Sequence, residues 1–282
     1  MFYALQYSKI PMRGFKVEHV IEDIQTLNQR ALQEGEFRET PLLEVTAVSV
    51  HAYAYLSDKY AIMRSGASVG NKYGPMIVRK TQRAEGVGHR QKENFQPSAL
   101  SPMLRGSRIA VPGKLTTAYL ALQLLERDFI PVFIPFDEIF DAVEAGKADY
   151  GLIIHEGQLT YQQKGFEMLV DLGVWWHEKT GLPLPLGVDV IRRDLGQETM
   201  QEFAQLFRES IEYSLQHRSE ALDYALQWGR GLEKKLGDQF VGMYVNEDTV
   251  QISQTSEEGL RRLLEEGYKK GLLPDSPRIE FV

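Results

Sequence analysis

The stretch from Ser107 to His155 constrains the fold more than any other part of the chain. Three short apolar runs, Arg108–Val111, Val132–Ile134 and Tyr150–Ile154, alternate with two amphipathic segments, Thr116–Arg127 and Phe136–Ala145. Strand, helix, strand, helix, strand predicts a mostly parallel sheet covered by helices. Ligands in such sheets bind beyond the carboxyl ends of the strands. The residues that follow the strands are therefore the ones to read for chemistry.

The flanks extend the pattern. Phe2–Tyr7 reads as a short helix and Phe15–Ile21, with Phe15 and Val17 alternating, as a strand. Asp23 then caps a helix whose apolar stripe is Ile24, Leu27, Ala31 and Leu32 and which Gly35 stops. Leu42–Val48 predicts a buried strand, Ser49 its turn, and His51–Lys59 a helix. Ala61–Met63 and Met76–Arg79 are further strands, separated by a loop with Gly66, Gly70 and Gly74. Thr81–Arg105 has no sustained period and reads as a surface excursion without chemistry. Phe166–Val170 is apolar, Trp175–Trp176 reads as a turn region, and Leu184–Ile191 is another buried strand. Gln197–Leu215, Arg218–Gly229 and Ser256–Gly271 are the best amphipathic helices of the C-terminal part. The expected organisation is an α/β fold of two lobes, each a mixed sheet flanked by helices. Residues 1–78 and 189–282 form the first lobe, 79–188 an inserted second one, and two crossover strands join them beside a cleft.

Composition narrows the function. With 43% hydrophobic residues in 282, the chain can bury two modest cores. A net charge of −7, with Lys and Arg dispersed among Asp and Glu, offers no basic stripe for nucleic acid. Cysteine is absent, which rules out disulfides, thiolate ligands and a cysteine nucleophile. No secretory leader is legible at Met1–Pro11, and no run of about 18 apolar residues follows. The expected compartment is the cytoplasm, with no membrane anchor.

Three strand ends carry candidate chemistry. In Val111-Pro112-Gly113-Lys114-Leu115-Thr116-Thr117 a strand passes through a glycine turn into a helix start, which suits an anion. It is not a phosphate loop, since Arg108 stands where the first glycine belongs and Leu115 where Ser or Thr would hold magnesium. Thr116 can equally serve as a helix cap. His155 follows Gly151-Leu152-Ile153-Ile154 at the point where the strand leaves the core. Its unperturbed pKa of about 6.5 suits proton abstraction, although a strand-end histidine also serves simply by bonding a carbonyl. Leu159 occupies the second-histidine position of a zinc-protease helix, so no metal is expected there. Ser49 either bonds a ligand or caps the next helix. His51 and His177 stand behind His155 as candidates. Trp175 and Trp176 read as packing, and Asn246 either reaches the cleft or caps a turn.

Together, Val-Pro-Gly-Lys-Leu-Thr-Thr-Ala-Tyr (111–119), Gly-Leu-Ile-Ile-His-Glu (151–156), Gly-Leu-Pro-Leu-Pro-Leu-Gly (181–187) and Tyr-Val-Asn (244–246) resemble the 1,4-dihydroxy-6-naphthoate synthase family of the futalosine route to menaquinone. The resemblance runs from Phe2 to Val282 apart from residues near 82–104. It implies a periplasmic-binding-protein type II fold used as an enzyme. The implied reaction is a carbon–carbon lyase step that turns cyclic dehypoxanthine futalosine into the dihydroxynaphthoate without a cofactor. His155 matches the family's general base. Ala47, Val48 and Ser49 match one substrate-binding turn and Thr116 and Thr117 the other, with Asn246 a further contact. The implied partner is a small-molecule carboxylate; the sequence leaves monomer and homodimer both open.

Two departures from the family pattern bear on these expectations. Relatives usually begin with a strand and a Ser-Pro-Cys-Pro-Asn-Asp-Thr loop ahead of the Phe-Tyr-Ala-Leu helix, whereas this sequence opens at Met1-Phe2-Tyr3-Ala4-Leu5, so either the start as given is too late or the first lobe lacks its first strand. Ala47 also stands where some relatives carry lysine, which leaves that turn backbone contacts only. Two rivals share the fold: a non-catalytic solute-binding protein and the sister chorismate-dehydrating enzyme.

Overall fold

The computed structural model describes residues 1–81, 97–228 and 233–282. The chain divides into two compact units. One comprises Met1–Gly70, Leu115–Thr117 and Leu182–Val282, the other Asn71–Lys114 and Ala118–Gly181.

The first unit opens with helices α1 (Tyr3–Gln6) and α2 (Ile24–Leu32), then strand β1 (Val45–Ser49), helix α3 (Val50–Tyr53) and strands β2 (Tyr60–Ile62) and β3 (Ser68–Gly70). Asp23 caps α2 as its position predicts, accepting from the N–H groups of Gln25 and Thr26. The strand expected at Phe15–Ile21 does not form. Its alternation is instead satisfied by direct packing, with Phe15 edge-on to Phe203 at 5.4 Å and Val17 against the same core. The helix expected at His51–Lys59 shortens to α3. Beyond it Tyr55, Leu56 and Lys59 donate to carbonyls three residues back, the tighter bonding of consecutive turns.

The second unit holds strand β4 (Met76–Lys80), helix α4 (Pro97–Leu104), then β5 (Arg108–Val111), α5 (Thr117–Leu125), β6 (Ile130–Phe133), α6 (Ile139–Glu144), β7 (Tyr150–Ile153), α7 (Gly157–Thr160), β8 (Phe166–Asp171) and α8 (Leu172–Thr180). The predicted alternation is present: β6, β5 and β7 run parallel, and β4 inserts antiparallel between β7 and β8. The sheet is therefore mixed. Gly151 lets α6 lie directly on β7, since a Cβ there would come within 2.7 Å of Ile139. Two expectations are corrected. The excursion at Thr81–Arg105 contains α4, where Leu104 is fully buried, while its residues 82–96 lie outside the described ones. Trp175–Trp176 belong to a helix, capped by Asp171 and ended by Gly181 at φ +74°. Both rings are buried, as packing residues should be.

The return to the first unit is strand β9 (Leu184–Arg192) and helices α9 (Gln197–Gln216), α10 (Arg218–Leu226), α11 (Lys234–Tyr244), α12 (Glu247–Val250) and α13 (Gln254–Lys269). The helix read at Arg218–Gly229 stops at Leu226, and Gly229 lies outside the described residues. β9 is the centre of the first unit's sheet. β1 lies antiparallel along one side of it, from Val45 opposite Ile191 to Ser49 opposite Gly187. β2 and β3 also pair with β9, near its C-terminal and N-terminal ends respectively. A parallel bridge ties Ile62 to Phe281. Leu206, Phe207 and Ile211 of α9 pack with Leu5, Met63 and Ile191 to make this unit's core.

Candidate active site

In the first unit, four of the polar residues singled out by sequence, Ser49, His51, Thr116 and Thr117, are buried. β1 ends at Ser49, which is 3% exposed yet makes no side-chain cap to α3. Its hydroxyl accepts instead from Asn28 Nδ2 at 3.0 Å, while its backbone N–H donates to Asn28 Oδ1 at 2.8 Å. Asn28 is fully buried on the face of α2 that packs against β1. Sequence reasoning missed it, although the signal was there: Asn28 is a polar residue inside the apolar stripe, four residues after Ile24 and four before Leu32.

The segment Leu115–Thr117 is fixed within the same unit by three elements. Leu115 N–H donates to Gln25 Oε1 at 3.2 Å. Thr117 Oγ1 donates to the Leu186 carbonyl at 2.6 Å and accepts from the His51 N–H at 3.3 Å. The His51 ring meets the Thr116 carbonyl at 3.2 Å, and since a carbonyl only accepts, Nδ1 carries the proton. Thr117's hydroxyl is therefore spent on holding its own backbone. Thr116 sits immediately before the first turn of α5, whose leading N–H groups have no intrahelical acceptor.

Val48 is buried in β1 and Ala47 is half-buried opposite Asp189. Asn246 caps α12: its Oδ1 accepts from Asp248 N–H at 3.0 Å and its own N–H donates to Thr249 Oγ1 at 3.1 Å. The side-chain amide also reaches the Met243 carbonyl at 3.3 Å, so its bonding is local.

In the second unit β7 delivers His155. Ile153 is buried and His155 half-buried, with the ring edge-on to Phe136 at 4.7 Å. Its backbone lies at φ +55°, in the left-handed region that side chains other than glycine's seldom adopt. That conformation turns the chain sharply from strand into α7, with the His155 carbonyl accepting from Gln158 N–H. It costs about 1 kcal/mol, which the surrounding structure must supply. His177, in α8, has an Nδ1 that is buried without a partner. Among the described residues no three His, Asp or Glu side chains group as a metal site. No helix among them is long and apolar enough to cross a membrane.

A mixed α/β chain of two sheets, with polar groups gathered at strand ends, is the architecture of periplasmic binding proteins. The alkanesulfonate-binding protein of Xanthomonas axonopodis pv. citri, solved with MOPS bound, superposes with a TM-score of 0.64 at 14% identity, covering 99% of this chain and 93% of that one. A Candida albicans protein described as having the generic periplasmic-binding-protein fold gives 0.59 at 12% identity, over 97% and 86%. The fold is thereby established. Sequence goes further: a model of a menaquinone-biosynthesis family matches residues 1–269. The 1,4-dihydroxy-6-naphthoate synthase of Thermus thermophilus is 38% identical over 284 residues, spanning 100% of this chain and 94% of the relative. That of Streptomyces coelicolor is 31% identical over 97% and 90%. A crystal structure of an Archaeoglobus fulgidus protein superposes with a TM-score of 0.83 at 43% identity, over 96% and 92%. The chain belongs to the menaquinone-biosynthesis family of enzymes to which these synthases belong.

Proposed function

We propose that this protein is a 1,4-dihydroxy-6-naphthoate synthase, a carbon–carbon lyase that acts on cyclic dehypoxanthine futalosine with His155 as general base. The observation that carries the role of His155 is its backbone. A titratable side chain is held in a costly left-handed conformation at the carboxyl end of a strand, and strained backbone of this kind concentrates at functional sites. Removal of a substrate proton by the imidazole starts carbon–carbon cleavage and elimination, and aromatisation of the product ring drives the sequence forward. Ser49 and the backbone of Ala47 and Val48 bind the substrate. The N–H groups that open α5 beside Thr116 and Thr117 take its carboxylate. Asn246 acts from its cap. The small carboxylate is the partner, no cofactor takes part, the chain works as a monomer or homodimer, and the compartment is the cytoplasm. What supports the reading is the full-length likeness to two synthases.

The test is turnover by the His155→Asn variant, because Asn tolerates left-handed backbone and cannot serve as the base. Loss of roughly 10²–10⁴-fold in kcat, with the fold intact by circular dichroism, is expected. A rate within a few-fold of the parent would remove His155 from the role. Incubation of the parent protein with the same substrate separates the solute-binding alternative. Appearance of the naphthoate spectrum supports catalysis, and binding without it supports a carrier.

A further inference from the structure

The Asn28–Ser49 pair defines the direction of one hydrogen bond. A backbone N–H can only donate, so the 2.8 Å contact from Ser49 N fixes the facing atom of Asn28 as the carbonyl oxygen Oδ1. The other end of the amide is then Nδ2, a donor, and it lies 3.0 Å from Ser49 Oγ. The hydroxyl oxygen must accept there, and its proton is turned away from Asn28. Among the described residues no acceptor takes that proton, and the side chain makes no cap to α3. Asn28 is fully buried in mid-helix, where Asn is a poor helix former and its desolvation is costly. The two bonds to Ser49 are what offset that cost.

We infer that Asn28 is a positioning residue: its side-chain amide locks the Ser49 hydroxyl as an outward hydrogen-bond donor for an acceptor oxygen of the substrate. This deepens the function proposed above and rests on Ser49 touching substrate. Asn28 itself makes no contact with the reacting atoms. Its specificity is for a ligand atom that accepts, such as a carboxylate or carbonyl oxygen, over one that donates.

Asn28→Asp tests the inference, because it keeps the acceptor for the Ser49 N–H but replaces the donor facing Oγ. With the introduced carboxyl ionised, the Ser49 proton turns inward and is lost to the substrate. Protonation restores a donor. KM is measured from pH 5.5 to 8.5 for the parent, Asn28→Asp, Ser49→Ala and the double variant, each normalised to the parent at the same pH so that pH effects common to all four cancel. The expected result is a KM raised roughly tenfold at high pH and returning to within about threefold at low pH, with kcat little changed. In the Ser49→Ala background the pH-dependent component disappears. A raised KM that does not vary with pH, or that is equal with and without the Ser49 hydroxyl, overturns the inference and leaves Asn28 a packing residue. A parental KM for Ser49→Ala overturns it differently, by removing Ser49 from the substrate while leaving the His155 result untouched. Should Asn28→Asp not fold, Asn28→Ala carries the same cycle. Its double variant with Ser49→Ala is expected within about twofold of Ser49→Ala alone, and additive effects refute the coupling.

Discussion

His155 is held at φ +55°, and that backbone sorts its substitutions by shape as well as by chemistry. Asn and Val both remove the imidazole and its edge contact with Phe136, but Val, branched at Cβ, strongly disfavours left-handed backbone. His155→Val should therefore unfold at lower denaturant than His155→Asn by about 1–2 kcal/mol. Equal stabilities would show that the turn relaxes when the ring is removed. Thr117 makes a second residue-scale case. Its hydroxyl is committed to the Leu186 carbonyl and the His51 N–H, so Thr117→Val, nearly isosteric, takes this partner from both groups. A loss of about 1–3 kcal/mol is expected, with Thr117→Ser recovering most of it. A thermally silent Thr117→Val would instead point to solvent reaching the segment. From sequence Thr116 and Thr117 look alike as ligand candidates. Only the structure shows that the Thr117 hydroxyl is structurally engaged, because its partners lie 66 and 69 residues away along the chain.

β9 shows what an element can impose on its neighbours. Asp189 lies on this strand opposite Ala47, is 1% exposed, and finds no hydrogen-bond partner for either carboxylate oxygen. Gly66 at φ +92° makes room for it, since a Cβ there would stand 2.0 Å from Asp189 Oδ2. Burial raises the carboxyl to a pKa of about 7, against the weaker opposing pull of the Met1 ammonium. The folded state then holds a proton that the unfolded chain releases near pH 4, so stability falls as pH rises from about 4 to 7 and levels off above. Asp189→Asn, which cannot ionise, should gain stability relative to the parent between pH 5 and pH 8, read as a widening gap in melting temperature. A gap that does not change with pH would mean that Asp189 titrates normally. Elements also explain which parts of the fold could be read from sequence. The βαβαβ run was legible because each piece carries its own period, and α2 because Asp23 caps it. Phe15–Ile21 misled because alternation records burial on one side, and α9 supplies that burial without a ladder. The helix at Trp175–Trp176 was missed for the opposite reason. It is buried on more than one face and shows little amphipathic period, so only Asp171 and Gly181 mark its ends.

At the scale of the whole molecule, the chain shares its fold with solute-binding proteins, and its family with enzymes. Fold alone does not decide between these activities, so the distinction must reside in a few side chains. The family motifs were legible in the sequence. The interactions around them were less so, because Asn28, Ser49, His51 and Leu186 come together only through α2, β1, α3 and β9. If binding and chemistry are separable in this way, replacing the proposed base, His155, should leave a binding protein. His155→Asn saturated with cyclic dehypoxanthine futalosine at about 100 times its Kd should then gain about 2.7 kcal/mol, since the ligand binds only the folded chain. At about 2–4 °C per kcal/mol for domains of this size, the melting temperature should rise by about 5–10 °C without any naphthoate product forming. Should the substrate leave the melting temperature of His155→Asn unmoved while it raises that of the parent, the imidazole would be a binding group first. The lost turnover would then report lost affinity, and the base would have to be sought among the other titratable groups, with His51, on the Thr116 carbonyl, the first to substitute.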